Sequence, residues 1–560
     1  MVQFDEELQK KNLAELRVKE QENLAQRLSG KYGLPYTDLS LIPVNIDALK
    51  EVPEAEARAA RIAPFKIAGK NISVATTTPD TEETMRALGA LKERGFAVTL
   101  YISSERSLEA AWKRYEDVSL SLKTSAGILE IAHEKIEGFL AEIHTIQDVV
   151  RLVGGIVAGK QKYQTTELLE LFIASALATD ASDLHIEPEE AEVAVRFRLD
   201  GVLHKLVSFE RRIYDLLSSR IKLLSGMKLN VHDTAQDGRF SIKLKEADVE
   251  VRCSAIPGAY GESIVLRILN PKAIRVSFEN LGIEPRLLGV VEREIAKPNG
   301  MIITTGPTGS GKTTTLYAFL KKVHTPGVKI VTIEDPVEYH LPGVTQTQVE
   351  EESGYTFASG LRSVLRQDPD VIMVGEIRDG DTATTAINAA LTGHIVFSTL
   401  HTNDAAGAIP RLVDMQINPK VLGSALNVIL AQRLVRKLCD VCKKKEPATE
   451  EEQRFFESVI KTLPEEYKKE GVGADLKTAW HTGGGACEKC NGTGYKGRVG
   501  VFEAVLMDKT IEEIARENPS AREIREAATA QGLLTLKQDG VLKALAGFTT
   551  IEEILRVVGE

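Results

Sequence analysis

Gly306-Pro307-Thr308-Gly309-Ser310-Gly311-Lys312-Thr313 follows the pattern G-x-x-x-x-G-K-[ST]. Glycines at these positions let successive backbone N–H groups turn inward around a phosphate. Lys312 brings a point charge toward the β- and γ-phosphates, and the Thr313 hydroxyl can ligate Mg²⁺. An apolar strand pattern, Met301–Thr304, precedes the motif. A helix pattern from Thr314 to Val323 follows it and aims its positive end at the anion. Residues 306–314 are therefore expected to cradle the phosphates of ATP with Mg²⁺.

Two acidic elements follow apolar runs. The first is Val331-Thr-Ile-Glu334-Asp335-Pro336-Val-Glu338, and the second is Val371-Ile-Met-Val-Gly375-Glu376. A buried parallel strand delivers such a carboxylate to the sheet edge where ligands sit. Position 375 is glycine, where many P-loop enzymes carry the aspartate that holds Mg²⁺. The metal is then left to Thr313, water, and carboxylates from Glu376 or the Glu334/Asp335 pair. Either Glu334 or Glu376 could orient or deprotonate an attacking water. His394 and His401 bracket one further apolar strand, Ile395–Thr399, and are candidates for a sensor near the γ-phosphate or a contact between subunits.

Four of the five cysteines form two C-x-x-C pairs, Cys439/Cys442 and Cys487/Cys490. Four thiolates make the closed tetrahedral set of structural Zn²⁺, which leaves no open position for catalysis. The gap between the pairs is far longer than the roughly 15–20 residues of common zinc ribbons. The pairs should clamp the base of a sizeable insertion. Cys253 stands alone in a strand pattern and reads as core.

These groups need several domains to hold them. At 560 residues the chain exceeds one core. Residues 1–118 read as a small α/β domain for docking or interaction, with a charged helix to about Gly30, a hairpin, and a strand at Phe96–Ile102. Residues 119–163 read as a helical linker, with Leu129, Ala132, Ile136, Phe139 and Ile143 on one stripe, interrupted by Gly154-Gly155 and Gly159. Residues 164–275 read as a second α/β domain, with a tight hairpin at Asp200-Gly201. Residues 276–560 alternate short apolar strands with helices, the pattern of a parallel sheet covered on both faces, followed by a helical part at 507–560.

The formal charge of −10 and the absence of basic–aromatic stripes argue against nucleic acid as a partner. No run approaches the roughly 18 apolar residues of a membrane span, and residues 1–22 are too charged for a signal peptide. A cytoplasmic location is expected, with any membrane attachment made through partners.

Several long motifs resemble the secretion ATPases of the type II and type IV pilus superfamily. They are the P-loop, Ile333–Glu338, Leu365–Arg378, Gly393–Asp404, Ala181–Pro188, Gln236–Arg239 and Gly492–Arg498, and together they span residues 165–560. The resemblance implies a RecA-like ATPase domain preceded by a PAS-like α/β domain that closes over nucleotide, and a zinc-bound loop at 439–490. It implies a homohexamer at the inner membrane. Acting on a platform protein and the pilus or secretion machinery, the ring would add pilin-like subunits to a fibre. It also suggests arginines that reach a neighbouring site: Arg239 and Arg252, then Arg267. The cysteine loop and long N-terminal region resemble assembly and secretion members rather than retraction members. Pilus assembly, type II secretion and DNA-uptake pseudopilus assembly stay open. So do two other classes, a nucleic-acid translocase and a scaffold that binds ATP without turnover. Some members bind cyclic di-GMP through tandem Arg-Leu-Gly motifs; that tandem pattern is absent, with only Leu24–Tyr36 faintly similar.

Overall fold

A computed structural model describes residues 20–42, 44–68, 70–115, 128–129, 138–140, 142–143, 145–158, 164–243, 248–270, 276–469, 476–485 and 487–559. The chain forms two compact units, 1–129 and 130–560.

In the first unit, residues 20–32 are helical, and the expected start of that helix lies outside the described residues. Strands β1 (Ile62–Ala68) and β2 (Asn71–Thr76) pair antiparallel, and β3 (Ala97–Ile102) joins β2 in parallel. Thr81 and Ser104 cap the Glu82–Glu93 and Glu105–Trp112 helices by accepting from Thr84 N and Ser107 N. Two buried aromatic groups are satisfied by backbone: Trp112 Nε1 donates to Ile62 O and Tyr115 OH to Val52 O, both at 2.8 Å.

The expected linker stripe departs from a single helix. Leu129 belongs to a two-residue strand, and Ala132, Ile136 and Gly159 lie outside the described residues. The Ile146–Ala158 helix runs through Gly154 and Gly155 instead of stopping there. Each glycine costs that helix up to about 1 kcal/mol. Packing of its buried Val149 and Val153 side against the Gln164–Ala178 helix offsets that cost.

Six strands follow: β4 (Asp183–Pro188), β5 (Val193–Leu199), β6 (Val202–Phe209), β7 (Gln236–Lys243), β8 (Asp248–Ile256) and β9 (Ser263–Leu269). They pair antiparallel in the order β7-β8-β9-β4-β5-β6. Asp200 and Gly201 form the β5–β6 turn with φ of 49° and 90°, the positive values an Asp-Gly hairpin needs. The register sets Arg239 opposite Arg252, Arg252 opposite Arg267, Arg267 opposite Asp183, and Asp183 opposite Arg198. One face of this sheet therefore carries a row of arginines around a single aspartate.

The last sheet holds β10 (Gly300–Thr305), β11 (Ile330–Glu334), β12 (Thr345–Gln348), β13 (Val371–Val374), β14 (Ile395–Leu400), β15 (Leu426–Leu438) and β18 (Tyr495–Leu506). Between the last two, β16 (Lys444–Pro447) and β17 (Thr478–His481) make a separate hairpin. The order is β12-β11-β13-β14-β10-β15-β18. All neighbours are parallel except β18, which runs antiparallel to β15. The expected all-parallel sheet is thus corrected at one edge. Alternation sends Met301, Ile303, Ile372 and Val374 into one covering layer, and Ile302, Val371, Met373 and Phe397 into the other. Both faces are dry, which is why these strands read as unbroken apolar runs. Among the described residues no helix is long and apolar enough to cross a membrane.

Candidate nucleotide site and metal knuckle

The phosphate loop leaves the carboxyl end of β10 and enters the Lys312–Val323 helix. That helix starts at Lys312 itself, two residues earlier than its apolar pattern suggests. Gly311, with φ 90°, is the N-cap. A Cβ on Gly306 would lie 2.6 Å from Gln432 O, so only glycine lets the loop pass beneath β15. Gln432 Nε2 donates to Ser310 O at 2.8 Å and fixes the loop from that strand. Lys312 is 9% exposed, and its Nζ donates to Gly306 O at 2.8 Å and Pro307 O at 3.2 Å. Burial lowers the Lys312 pKa; Glu376 works against that shift and Arg433 adds to it. Thr313 is exposed at the mouth of the same loop.

Glu334 ends β11 and is 3% exposed. Its Oε1 accepts from Thr332 Oγ1 at 2.6 Å and Gln346 Nε2 at 3.0 Å, and its Oε2 accepts from Tyr317 OH at 2.5 Å. Burial, then Glu334, push the Tyr317 phenol far up, so it stays a donor. A cis Asp335–Pro336 bond follows. Glu376 lies just beyond β13, paired with Arg378 and with His401 Nε2 at 3.2 Å. A Cβ at Gly375 would sit 3.2 Å from Ile333 O and 3.4 Å from Glu334 Cα. That crowding explains glycine there: an aspartate would press on the strand that holds Glu334.

These groups line one cavity of about 860 Å³, with Lys312, Thr313, Glu334, Glu376 and His401 around it. Its wall also carries Arg198, Arg267, Arg378, Arg433, Arg498 and Arg556. A second cavity of about 560 Å³ shares Arg267, Thr314 and Arg498 with the first, so the two make one cleft between the antiparallel sheet and the phosphate loop. Arginine is the side chain suited to phosphate oxygens, and these guanidinium groups share the cavity with Lys312 and the phosphate loop.

His394 is not brought to this cleft. It precedes β14 at the opposite sheet edge from His401, and its Nδ1 lies 3.0 Å from Ala389 O. Of the three arginines suggested by resemblance, only Arg267 lines the cleft, held to Asp183 at 2.9 Å. Arg252 instead donates to Val337 O at 2.8 Å and pairs with Glu338 at 3.3 Å. It thereby ties the antiparallel sheet to the loop after Glu334. Arg239 is exposed at the end of the row and lines neither cavity.

Sequence reasoning missed Tyr317, Arg198, Arg433 and Arg556. Arg433 follows Gln432 on β15, and its Nη2 donates to Asn403 O at 2.6 Å. Arg556 comes from the last helix, where Glu553 fixes it with bonds of 2.8 and 2.7 Å. Glu553 is 1% exposed and also holds Arg436, which stacks 4.0 Å from the Tyr495 ring. Burial raises the Glu553 pKa, but the bonds from Arg556 and Arg436 outweigh it and hold it at about 2. No local spacing links residues so far apart in the chain.

The two C-x-x-C pairs sit where β15 ends and just before β18 begins. Leu438 pairs with Tyr495, which brings the pairs together and leaves an insertion between them. The insertion holds the β16–β17 hairpin and the Glu450–Ile460 helix, capped by Thr449 and Glu452. All four sulfurs lie within 4.8 Å of one another, with Cys439–Cys487 at 3.9 Å and Cys442–Cys490 at 3.7 Å. Four sulfurs at about 2.3 Å from one Zn²⁺ would stand roughly 3.8 Å apart. Gly494 N donates to Cys490 Sγ at 3.3 Å, a bond suited to a thiolate. The residues fit zinc.

The sequence model of the type II/IV secretion system protein family matches residues 159–556, and that of the MshEN domain matches residues 32–122. The type IV pilus assembly ATPase PilB of Thermus thermophilus is 37% identical over 538 residues, covering 95% of this chain and 57% of the relative. The chain thus spans less than two thirds of that relative's length. Type II secretion system protein E of Dickeya dadantii is 38% identical over 526 residues, covering 92% of this chain and 99% of the relative. The ATPase DotB of Legionella pneumophila shares the fold, with a TM-score of 0.50 at 21% identity, over 71% of this chain and 97% of the other. A phosphate loop with its lysine intact, two carboxylates beside it and a family match over most of the chain agree: the protein belongs to the type II/IV secretion system protein family and is an ATPase of it.

Proposed function

We propose that this chain is a motor ATPase that powers type IV pilus assembly as a homohexamer, acting through a platform protein in the inner membrane. The observation that carries the reading is the single cleft in which Lys312, Glu334 and Glu376 meet arginines of the antiparallel sheet. ATP bound there would be clasped from two sides. Lys312 and the loop N–H groups would hold the β- and γ-phosphates, and Arg267 and Arg198 would meet the charge that grows on the transferring phosphoryl group. Thr313, at the loop mouth, would hold Mg²⁺, which neutralises the phosphates when bound.

Hydrolysis adds water to the γ-phosphorus and breaks its bond to the β–γ bridging oxygen, with ADP leaving as the anion. Glu376 or Glu334 would orient the water and accept its proton. Loss of the γ-phosphate removes the anion that the arginine row answers, so turnover would loosen the clasp and move the sheet. That motion is the stroke a polymerising motor needs.

Relatives named as pilus assembly ATPases from Thermus thermophilus and Myxococcus xanthus match 95% and 96% of this chain, which favours pilus assembly. Type II secretion is the second reading, favoured by 44% identity to type II secretion system protein E of Aeromonas hydrophila over 70% of the chain. Phosphate release from MgATP by the purified chain, with mass measured by light scattering, tests the motor. A pull-down that recovers a platform protein with a pilin supports the first reading. Recovery with a secretion pseudopilin supports the second. Turnover stimulated by single-stranded DNA would contradict both.

A further inference from the structure

Glu334 has more partners than a solvated strand-end acid needs, and they are arranged unevenly. A carboxylate offers about four lone-pair positions, two on each oxygen. Thr332 Oγ1 and Gln346 Nε2 take Oε1, at 2.6 and 3.0 Å. Tyr317 OH takes one position of Oε2, at 2.5 Å. Among the described residues no other hydrogen-bond donor to this carboxylate is found. One lone pair of Oε2 is left, on a residue that is 3% exposed and lines the nucleotide cavity.

Tyr317 is itself 2% exposed, on the helix that Lys312 begins. That helix therefore carries the phosphate-binding lysine at one end and, one turn and a half further on, the phenol that orients the carboxylate. Gln346 closes the arrangement from the other side. Its Nε2 also donates to Tyr339 O at 2.9 Å, and its Oε1 accepts from Leu341 N at 2.7 Å.

We infer that Tyr317, seconded by Gln346, is a positioning residue: it fixes the Glu334 carboxylate so that a single lone pair of Oε2 faces the cavity to accept a hydrogen bond from water. This rests on the reading of the cleft as an ATP-hydrolysing site. With the phenol gone, Oε2 gains a second open position and the carboxylate loses part of its restraint. Positioning errors of this size cost about 10- to 100-fold in rate.

The test is Tyr317→Phe in the full chain, which keeps the ring and its packing. Phosphate release is measured from pH 5 to pH 9 with MgATP varied, and ADP affinity is measured separately. Expected are a fall in kcat of about 10- to 100-fold, KM and ADP affinity within about twofold, and an acidic limb of the kcat profile moved to higher pH. An unchanged kcat with an unchanged acidic limb would overturn the inference, since lost packing alone does not move that limb. Gln346→Met should move the limb the same way with a smaller fall in kcat. It decides the matter if Tyr317→Phe does not fold: an unchanged limb there overturns the inference as well. Glu334→Gln separates the two claims. If Glu334→Gln turns over like wild type, Glu334 does not handle the water and the inference fails, while the reading of the cleft as an ATPase site stands on Glu376. If Glu334→Gln is inactive and Tyr317→Phe is normal, only the positioning role fails.

Discussion

The nucleotide cleft and the cysteine knuckle share two strands, β15 and β18, yet they are built on opposite principles. The knuckle is closed: four like ligands face one another within 4.8 Å and leave no position open. The cleft is open: Lys312 is satisfied by its own loop carbonyls, Glu376 by His401 and Arg378, and six arginines surround a cavity of about 860 Å³. A closed set stores its free energy in the resting molecule, as metal-linked folding does. An open set keeps charge waiting for a ligand and releases that charge when the ligand is consumed. We assign stability to the first and, under the proposed function, motion to the second.

Four measurements can break or sharpen that contrast. The largest effect is expected in the knuckle. Replacing Cys442 and Cys490 together by serine should abolish bound zinc by metal analysis. It should cost more than about 4 kcal/mol locally, seen as lost hydrogen-exchange protection around 439–495 while the phosphate loop stays protected. If the loop unfolds with it, the two regions are one cooperative unit and the contrast fails.

Lys312→Ala comes next. It should lower kcat for phosphate release by about 10²- to 10³-fold and leave the melting temperature nearly unchanged, because the lysine's resting partners, Gly306 O and Pro307 O, are carbonyls of its own loop and tie no second element to it. A large loss of stability instead would make the cleft structural as well.

Glu553 gives a pH-dependent effect. Its carboxyl sits at about 2 in the fold against an ordinary 4.5, so its contribution is present above about pH 4.5 and is lost as pH falls toward 2. The melting difference between wild type and Glu553→Gln should correspond to up to about 3 kcal/mol near pH 6 and shrink by pH 3. A difference that grows on acidification would contradict the assignment of Arg556 and Arg436 as its partners.

The smallest effect is assigned to Arg252→Ala. Its bond to Val337 O and its pair with Glu338 tie the antiparallel sheet to the loop after Glu334. Losing a charged hydrogen bond of about 1.5 kcal/mol should slow turnover by about tenfold with ADP affinity retained.

The same contrast explains how much the sequence disclosed. The knuckle and the phosphate loop are local patterns, and C-x-x-C pairs and G-x-x-x-x-G-K-T each carry their chemistry within a few residues. The strands β10, β11, β13 and β14 were legible because burial on both faces makes them continuous apolar runs. β15 and β18 were not, because polar and charged residues interrupt both. Leu426–Ala431 is buried, but Gln432 and Arg433 line the cleft and Arg436 pairs with Glu553, and these polar residues break the run. β12 is Thr-Gln-Thr-Gln, an edge strand with no apolar signal at all. The cleft's arginines escaped for a related reason. Arg198, Arg433 and Arg556 come from three regions, and what unites them is sheet register and a buried glutamate. The resemblance pointed to Arg239, Arg252 and then Arg267 as arginines that reach a neighbouring site; Arg267 lines this cleft, and the other two sit in the same cross-strand row outside the cavity. His394 shares a motif with His401, yet a parallel strand puts them at opposite edges.

The most direct test of an ATPase cleft completed by the antiparallel sheet is kcat for MgATP hydrolysis in Arg267→Ala, with ADP affinity measured on the same sample. The expected result is a fall of at least about tenfold in kcat with ADP affinity within about twofold, because the phosphate loop is untouched. Wild-type kcat in that variant would contradict the central claim, since the phosphate loop would then be working without the face that closes over it.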